Sequence, residues 1–179
     1  MDAVAVIAGA LAQADALGAA GRSAEAERAL SRLIGEAPHC VEAWNRLAVL
    51  LAGRGDGLKA VACLERALSV APHEPSLHAN LGEIKRRAGL PEDAHVHCTR
   101  AVELAPDHVA ANLNLGYALL DLGRADAARP HFERALAREP GNPFASTGLG
   151  RVLLAQGDAA GAANAFARTL RAAPNDALA

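Results

Sequence analysis

Residues 41–74 read VEAWNRLAVLLAGRGDGLKAVACLERALSVAPHE, and this stretch decides the fold. Before Gly55 the apolar residues Trp44, Leu47 and Leu51 recur at steps of three and four, and beyond it Leu64 follows Ala60 by four while Ala67 and Leu68 follow Leu64 by three and four. That spacing puts each set on one face of a helix, so the stretch is two amphipathic helices broken by a turn. Gly55 supplies the left-handed residue that closes the first helix at low steric cost. Asp56 stands where an N-cap of the second helix is needed. Pro72, which lacks an N–H and crowds the preceding turn, ends the second helix.

The same pattern returns along the whole chain. Glycines fall at Gly21, Gly55, Gly89, Gly123 and Gly157 and prolines at Pro38, Pro72, Pro106, Pro140 and Pro174, each 34 residues after the last. A fixed period of this length is the signature of a repeat architecture. With repeats at 7–40, 41–74, 75–108, 109–142 and 143–176, the eighth position holds Ala14, Ala48, Gly82, Gly116 and Gly150. The twentieth holds alanine five times, and the twenty-fourth holds Leu30, Leu64, Cys98, Phe132 and Phe166. Small residues where helices cross let the backbones approach, and the larger columns fill the space beside them. Asp158 and Pro91 are further start signals of second helices. No single 34-residue pair can bury its own apolar face, so stability comes from neighbours.

Composition agrees. Hydrophobic residues make up 51% of the 179 but aromatics only 3%, which leaves little to build strands from. A net charge of −2 gives no electrostatic footprint for nucleic acid or an anionic membrane surface. Cys40, Cys63 and Cys98 are odd in number and widely spaced, with no C-x-x-C, so neither a disulfide framework nor a paired-cysteine zinc site is expected. The apolar run from Ala3 to Ala12 follows Asp2, and the first basic residue is Arg22, the reverse of a signal peptide. No stretch reaches the length of a membrane span. The expectation is a cytoplasmic protein with no membrane and no nucleic-acid partner.

The residues Trp44, Leu47, Ala48, Leu51, Ala60, Leu64, Ala67 and Pro72 fit the W-L-G-Y-A-F-A-P pattern of the tetratricopeptide repeat, which the chain resembles over residues 7–176. The resemblance implies an all-α fold, a right-handed α-solenoid of five helix-turn-helix repeats with about ten antiparallel helices, in one array over residues 1–179. It also implies that first helices line a concave groove. On the groove positions stand Asn45, Arg46, Asn80, Glu83, Arg86, Arg87, Asn114, Tyr117, Asp121 and Arg151, with Glu42, Val49, Ser76, Phe144 and Thr147 beside them. No lysine occupies an inner position, against the two-carboxylate clamp of chaperone-binding relatives. Asn80 and Asn114 share the sixth position and resemble the asparagine ladder of repeats attached to O-linked N-acetylglucosamine transferases. An amide both donates and accepts, so it suits a peptide backbone. Ordinary groove polarity is the other reading of the pair.

Other chemistry is weakly represented. His95 and Cys98 share a helical face while His97 points elsewhere, and no metal-ligand spacing occurs, so no metal and no cofactor is expected. His39, His73 and His108 follow the repeat prolines and read as exposed turn residues. No nucleophile with a positioned base is visible, and the chain is not read as an enzyme. The run Lys85, Arg86, Arg87 ends a first helix, where it complements the helix dipole; alternatively Arg86 or Arg87 meets an acidic partner segment. Lys85 takes an apolar position with a snorkelling stem. Asp121 and Asp126 read as helix-end carboxylates. The expected function is a protein-interaction scaffold holding a peptide or protein segment in the groove. The alternatives are a recruiting module of a larger enzyme, such as a bacterial transferase, and a self-assembling array. Asn175 to Ala179 look like the opening of a sixth repeat, so a longer chain or a homo-oligomer through the C-terminal end is expected.

Overall fold

The computed structural model describes residues 3–172, which places the expected sixth-repeat opening outside the described residues. Ten helices follow one another: α1 (Ala3–Ala19), α2 (Ser23–Glu36), α3 (Val41–Gly53), α4 (Gly57–Val70), α5 (Pro75–Arg87), α6 (Pro91–Leu104), α7 (Val109–Asp121), α8 (Ala125–Arg138), α9 (Pro143–Ala155) and α10 (Ala159–Ala172). The described residues contain no strand. They form two compact units, the first ending at Asn80 and the second starting at Leu81, so the division passes through α5.

Each first helix closes as the glycine pattern requires. Gly55 has φ 87°, its N–H donates to Ala52 O at 3.1 Å, and Asp56 N–H reaches back to Leu51 O at 2.9 Å. These two bonds, around one left-handed residue, satisfy carbonyls the helix would otherwise orphan. Asp158 caps α10 by accepting from Gly161 N at 2.8 Å, and Pro91 sits in the first turn of α6. Asp56 departs from expectation: its carboxylate makes no cap hydrogen bond and pairs with Lys59 at 4.0 Å.

The second helices stop two residues short of the proline, at Glu36, Val70, Leu104 and Arg138. Ala37, Ala71, Ala105 and Glu139 then turn to ψ between 75° and 87°. The terminator is therefore the restriction proline places on the residue before it, which cannot stay helical, and not the missing N–H itself. The C-cap N–H groups still bond the helix, Ala71 to Ala67 O at 2.9 Å.

In the first unit α3 packs on α4, α2 and α1; in the second, α7 packs on α6, α8 and α9. The eighth and twenty-fourth columns oppose each other and are matched in size. A Cβ built on Gly82 lands on Cys98 Sγ, one on Gly116 lies 2.7 Å from Phe132 Cζ, and one on Gly150 lies 2.5 Å from Phe166 Cε1. The same positions hold Ala48 and Leu64 in the second repeat, both fully buried. Phe132 is also met by Gly148 of α9, so its ring is walled by glycines on two helices and leads a core with Cys98, Leu115, Leu119 and Val152.

A second device fastens consecutive hairpins. At Pro38, Pro72 and Pro106 the proline carbonyl is taken by the fourth residue of the next repeat. Trp44 Nε1 donates to Pro38 O at 2.9 Å, His78 Nε2 donates to Pro72 O at 3.0 Å, and Asn112 Nδ2 donates to Pro106 O at 2.7 Å. A carbonyl only accepts, so His78 carries its proton on Nε2 in this contact. Ser146 stands in the same place in the last repeat, and there Pro140 O is bonded by Arg168 of α10 at 3.1 Å.

Candidate functional site

In the second unit the first helices α5, α7 and α9 carry Arg86, Tyr117 with Asp121, and Arg151 to one place. Tyr117 and Asp121 are four residues apart and so share a face of α7. Arg86 Nη1 donates to Asp121 Oδ2 at 3.1 Å from one side, and Arg151 Nη2 lies 3.8 Å from Asp121 Oδ1 on the other. The two guanidinium carbons lie 5.4 Å and 5.8 Å from the centre of the Tyr117 ring, within the range of cation–π attraction. The cluster therefore joins two cations, one anion and one aromatic ring.

Tyr117 is held from two directions. Its hydroxyl donates to Phe144 O at 2.7 Å, and its ring meets Phe132 edge-on with centroids 5.0 Å apart. Burial pushes its phenol above the usual tyrosine value, with Arg151 and Arg86 pulling it back, so the hydroxyl stays a donor at neutral pH. Beside it the side chain of Phe144 stands out at 65% exposure. The basic run of α5 divides: Lys85 pairs with Asp93 at 3.8 Å, Arg87 with Glu83 at 3.8 Å, and Arg86 alone enters the cluster. Asp121 is thus more than a solvated helix-end carboxylate, and Asp126, expected to be one, accepts from Gln156 Nε2 at 2.6 Å. Asn114 is half-buried one turn before Tyr117 on α7.

In the first unit Asn80 Nδ2 donates to Asn45 Oδ1 at 2.7 Å, which joins α5 to α3 through their amides. Arg46 bonds Glu42 at 3.0 Å, Asp15 of α1 and the Leu11 carbonyl. Desolvation works against the guanidinium, but its hydrogen bonds to Glu42 and Asp15 outweigh it and its pKa is raised. Asn45, Arg46 and Asp15 border an open cleft of about 270 Å³ with Ala14, Leu30 and the exposed Val49. Sequence reasoning missed Asp15, although it holds in the first repeat the position that Glu83, Tyr117 and Arg151 hold in later ones.

No group of three metal-ligating side chains occurs among the described residues, and no described helix is long and apolar enough to cross a membrane. Cys98 is buried, and desolvation pushes its thiol up to about 12, so it packs as a small hydrophobe. His108 is not a bare turn residue: its Nδ1 accepts from Ala111 N at 3.2 Å and caps α7. Asn112, unread in the sequence, is buried and accepts from His131 Nδ1 at 3.1 Å. Leu170 is 57% exposed near the end of α10.

Comparison with known proteins gives the following. The family model of the tetratricopeptide repeat matches residues 11–75, 51–108, 81–143 and 113–177. No curated protein matches the sequence. Among solved structures, the chain is similar to PilW, a type IV pilus biogenesis factor, with 22% identity over 94% of this chain and 78% of that one and a TM-score of 0.85. It is similar to TTC0263, a protein of Thermus thermophilus, with 24% identity, 96% and 93% coverage and a TM-score of 0.79. YrrB, described as having an unusual peptide-binding site, aligns with 19% identity, 94% and 87% coverage and a TM-score of 0.68. At these identities the likeness is one of fold.

Proposed function

The chain belongs to the tetratricopeptide repeat family, and on that premise we propose that it is a non-catalytic interaction module holding an extended segment of a partner protein. The segment lies on the face that Arg86, Tyr117, Asp121 and Arg151 form in the second unit. The observation that carries this reading is the meeting of those four side chains from three helices beside the exposed ring of Phe144. Tyr117 is already fixed by its hydroxyl and its ring packing, so little side-chain freedom is lost when a ligand arrives. The fold likeness to YrrB, itself described with a peptide-binding site, points the same way. Asn114 adds an amide able to meet a backbone N–H or C=O of the segment.

Selection from a displayed library of random dodecapeptides, followed by isothermal titration, tests the proposal. Phe144→Ser removes an exposed aromatic that a bound segment would cover. Full burial of such a side chain is worth about 1.5–3 kcal/mol, so affinity should fall by roughly tenfold to a hundredfold while the melting temperature stays put. Failure to select any binder, or unchanged affinity in this variant, sinks the proposal.

A further inference from the structure

We infer that the segment bound on this face is acidic, presenting a side-chain carboxylate to Arg86 and Arg151 beside Tyr117 and an apolar residue to Phe144. The inference rests on the peptide-binding reading above and adds the chemistry of the partner. Charge is the first argument. Two guanidinium groups share the single carboxylate of Asp121, while the neighbouring Arg87 is matched by Glu83, so the cluster carries one surplus positive charge. An acidic residue brought to this place neutralises it, and a basic one is repelled.

Donor geometry is the second argument. A guanidinium has five N–H donors in a fixed fork. Asp121 lies within hydrogen-bond distance of Arg86, but its 3.8 Å separation from Arg151 is an ion pair without a hydrogen bond. Arg151, with its side chain 47% exposed, therefore keeps its fork available to a second carboxylate. Such forks bind carboxylates in two parallel bonds, which lysine cannot do.

Preorganisation is the third. Both forks lie over the Tyr117 ring, at 5.4 Å and 5.8 Å, and that ring is anchored to Phe144 O and Phe132. The site is thus assembled before the ligand arrives. Phe144 begins α9 and its side chain stands in solvent, giving the residue next to the acid an apolar surface.

The probes are dodecapeptides selected on the full chain, then synthesised with acetylated N-termini and amidated C-termini so that only side chains carry charge. Selected sequences should be enriched in Asp or Glu next to an apolar residue. Replacing the acid by its amide should weaken binding about tenfold or more, and Arg151→Gln should give a similar loss that does not add to the first. Affinity should also fall as sodium chloride rises from about 0.05 to 0.5 M. If no peptide is selected, the peptide-binding reading itself fails. If peptides bind without acidic enrichment, or acidic peptides are indifferent to Arg151→Gln, the acidic-partner inference fails while the binding face stands. Should Arg151→Gln lose its helical circular dichroism, the acid-to-amide exchange on the peptide still decides.

Discussion

Gly148→Ala places one methyl group against the most enclosed ring of the second unit. The new Cβ would fall on Phe132 Cε1 and within 2.5 Å of Cζ, and the backbone of Gly116, from which even a Cβ would lie 2.7 Å from Cζ, crowds the same end of the ring and leaves it little room to move. Phe132 is fully buried and braced edge-on by Tyr117. Overpacking of this kind costs about 1–3 kcal/mol, and the close contact and closed surroundings place it at the upper end. Alanine recovers about 0.5–1 kcal/mol inside a helix, so the net loss should be about 2 kcal/mol. Gly150→Ala meets Phe166, which is only half-buried and can swing outward, and should cost less. Gly9→Ala in α1 meets nothing within 4 Å and should stabilise by about 0.5–1 kcal/mol. Urea unfolding followed by circular dichroism reads all three as shifts of midpoint at constant slope. Gly148→Ala combined with Phe132→Leu should lose less than the sum of the single changes, because the smaller side chain makes room. A Gly148→Ala midpoint equal to or above that of the parent would refute the argument.

Three further outcomes are expected. Trp44→Phe removes the donor to Pro38 O and should cost about 0.5–1.5 kcal/mol, whereas Asn112→Leu, which removes a buried amide and leaves Pro106 O and the half-buried His131 without it, should cost about 1–3 kcal/mol in thermal melts. Burial, with Arg134 and His95 adding to it, holds His131 below the usual histidine value. Its contribution to stability is therefore present above the unfolded value of about 6.5 and lost as pH falls through the lower folded one, and His131→Gln should flatten that acid-side loss in urea titrations at about pH 5 and 7. With Ellman's reagent Cys40, partly exposed, should react first, while Cys63 and Cys98, buried and with raised pKa, should react only after unfolding.

Helix positions were legible because each is dictated locally: the glycine must be left-handed, the residue before proline must leave the helix, and both recur every 34 residues. Which columns touch was less legible. The opposition of Gly116 to Phe132 depends on how two helices cross, which a column read by itself does not encode. The fastening of the proline carbonyls was invisible for another reason: Trp44, His78 and Asn112 share no size, charge or hydropathy, only an N–H at a suitable reach. At the candidate site, helical spacing sufficed to place Tyr117 with Asp121 and Arg46 with Glu42, whereas Asp121 reaches Arg86 and Asp15 reaches Arg46 from other helices, and charge alone does not choose among nearby carboxylates. Asp15 and Asp121 were settled by tertiary distance.

The exchange of donor at Pro140 bears on how the C-terminal hairpin opens. Pro38 and Pro106 are fastened by an indole and an amide that begin the helix directly following them, but Pro140 is fastened by the long, exposed Arg168 of α10. When α10 lifts away, the corner between α8 and α9 loses its clasp in the same event, and Phe166 leaves its place against Gly150 of α9. The last two helices then come loose as one cooperative unit, and amides of the first turn of α9 inherit the exchange rate of α10 in place of the slower rate their own burial would give them.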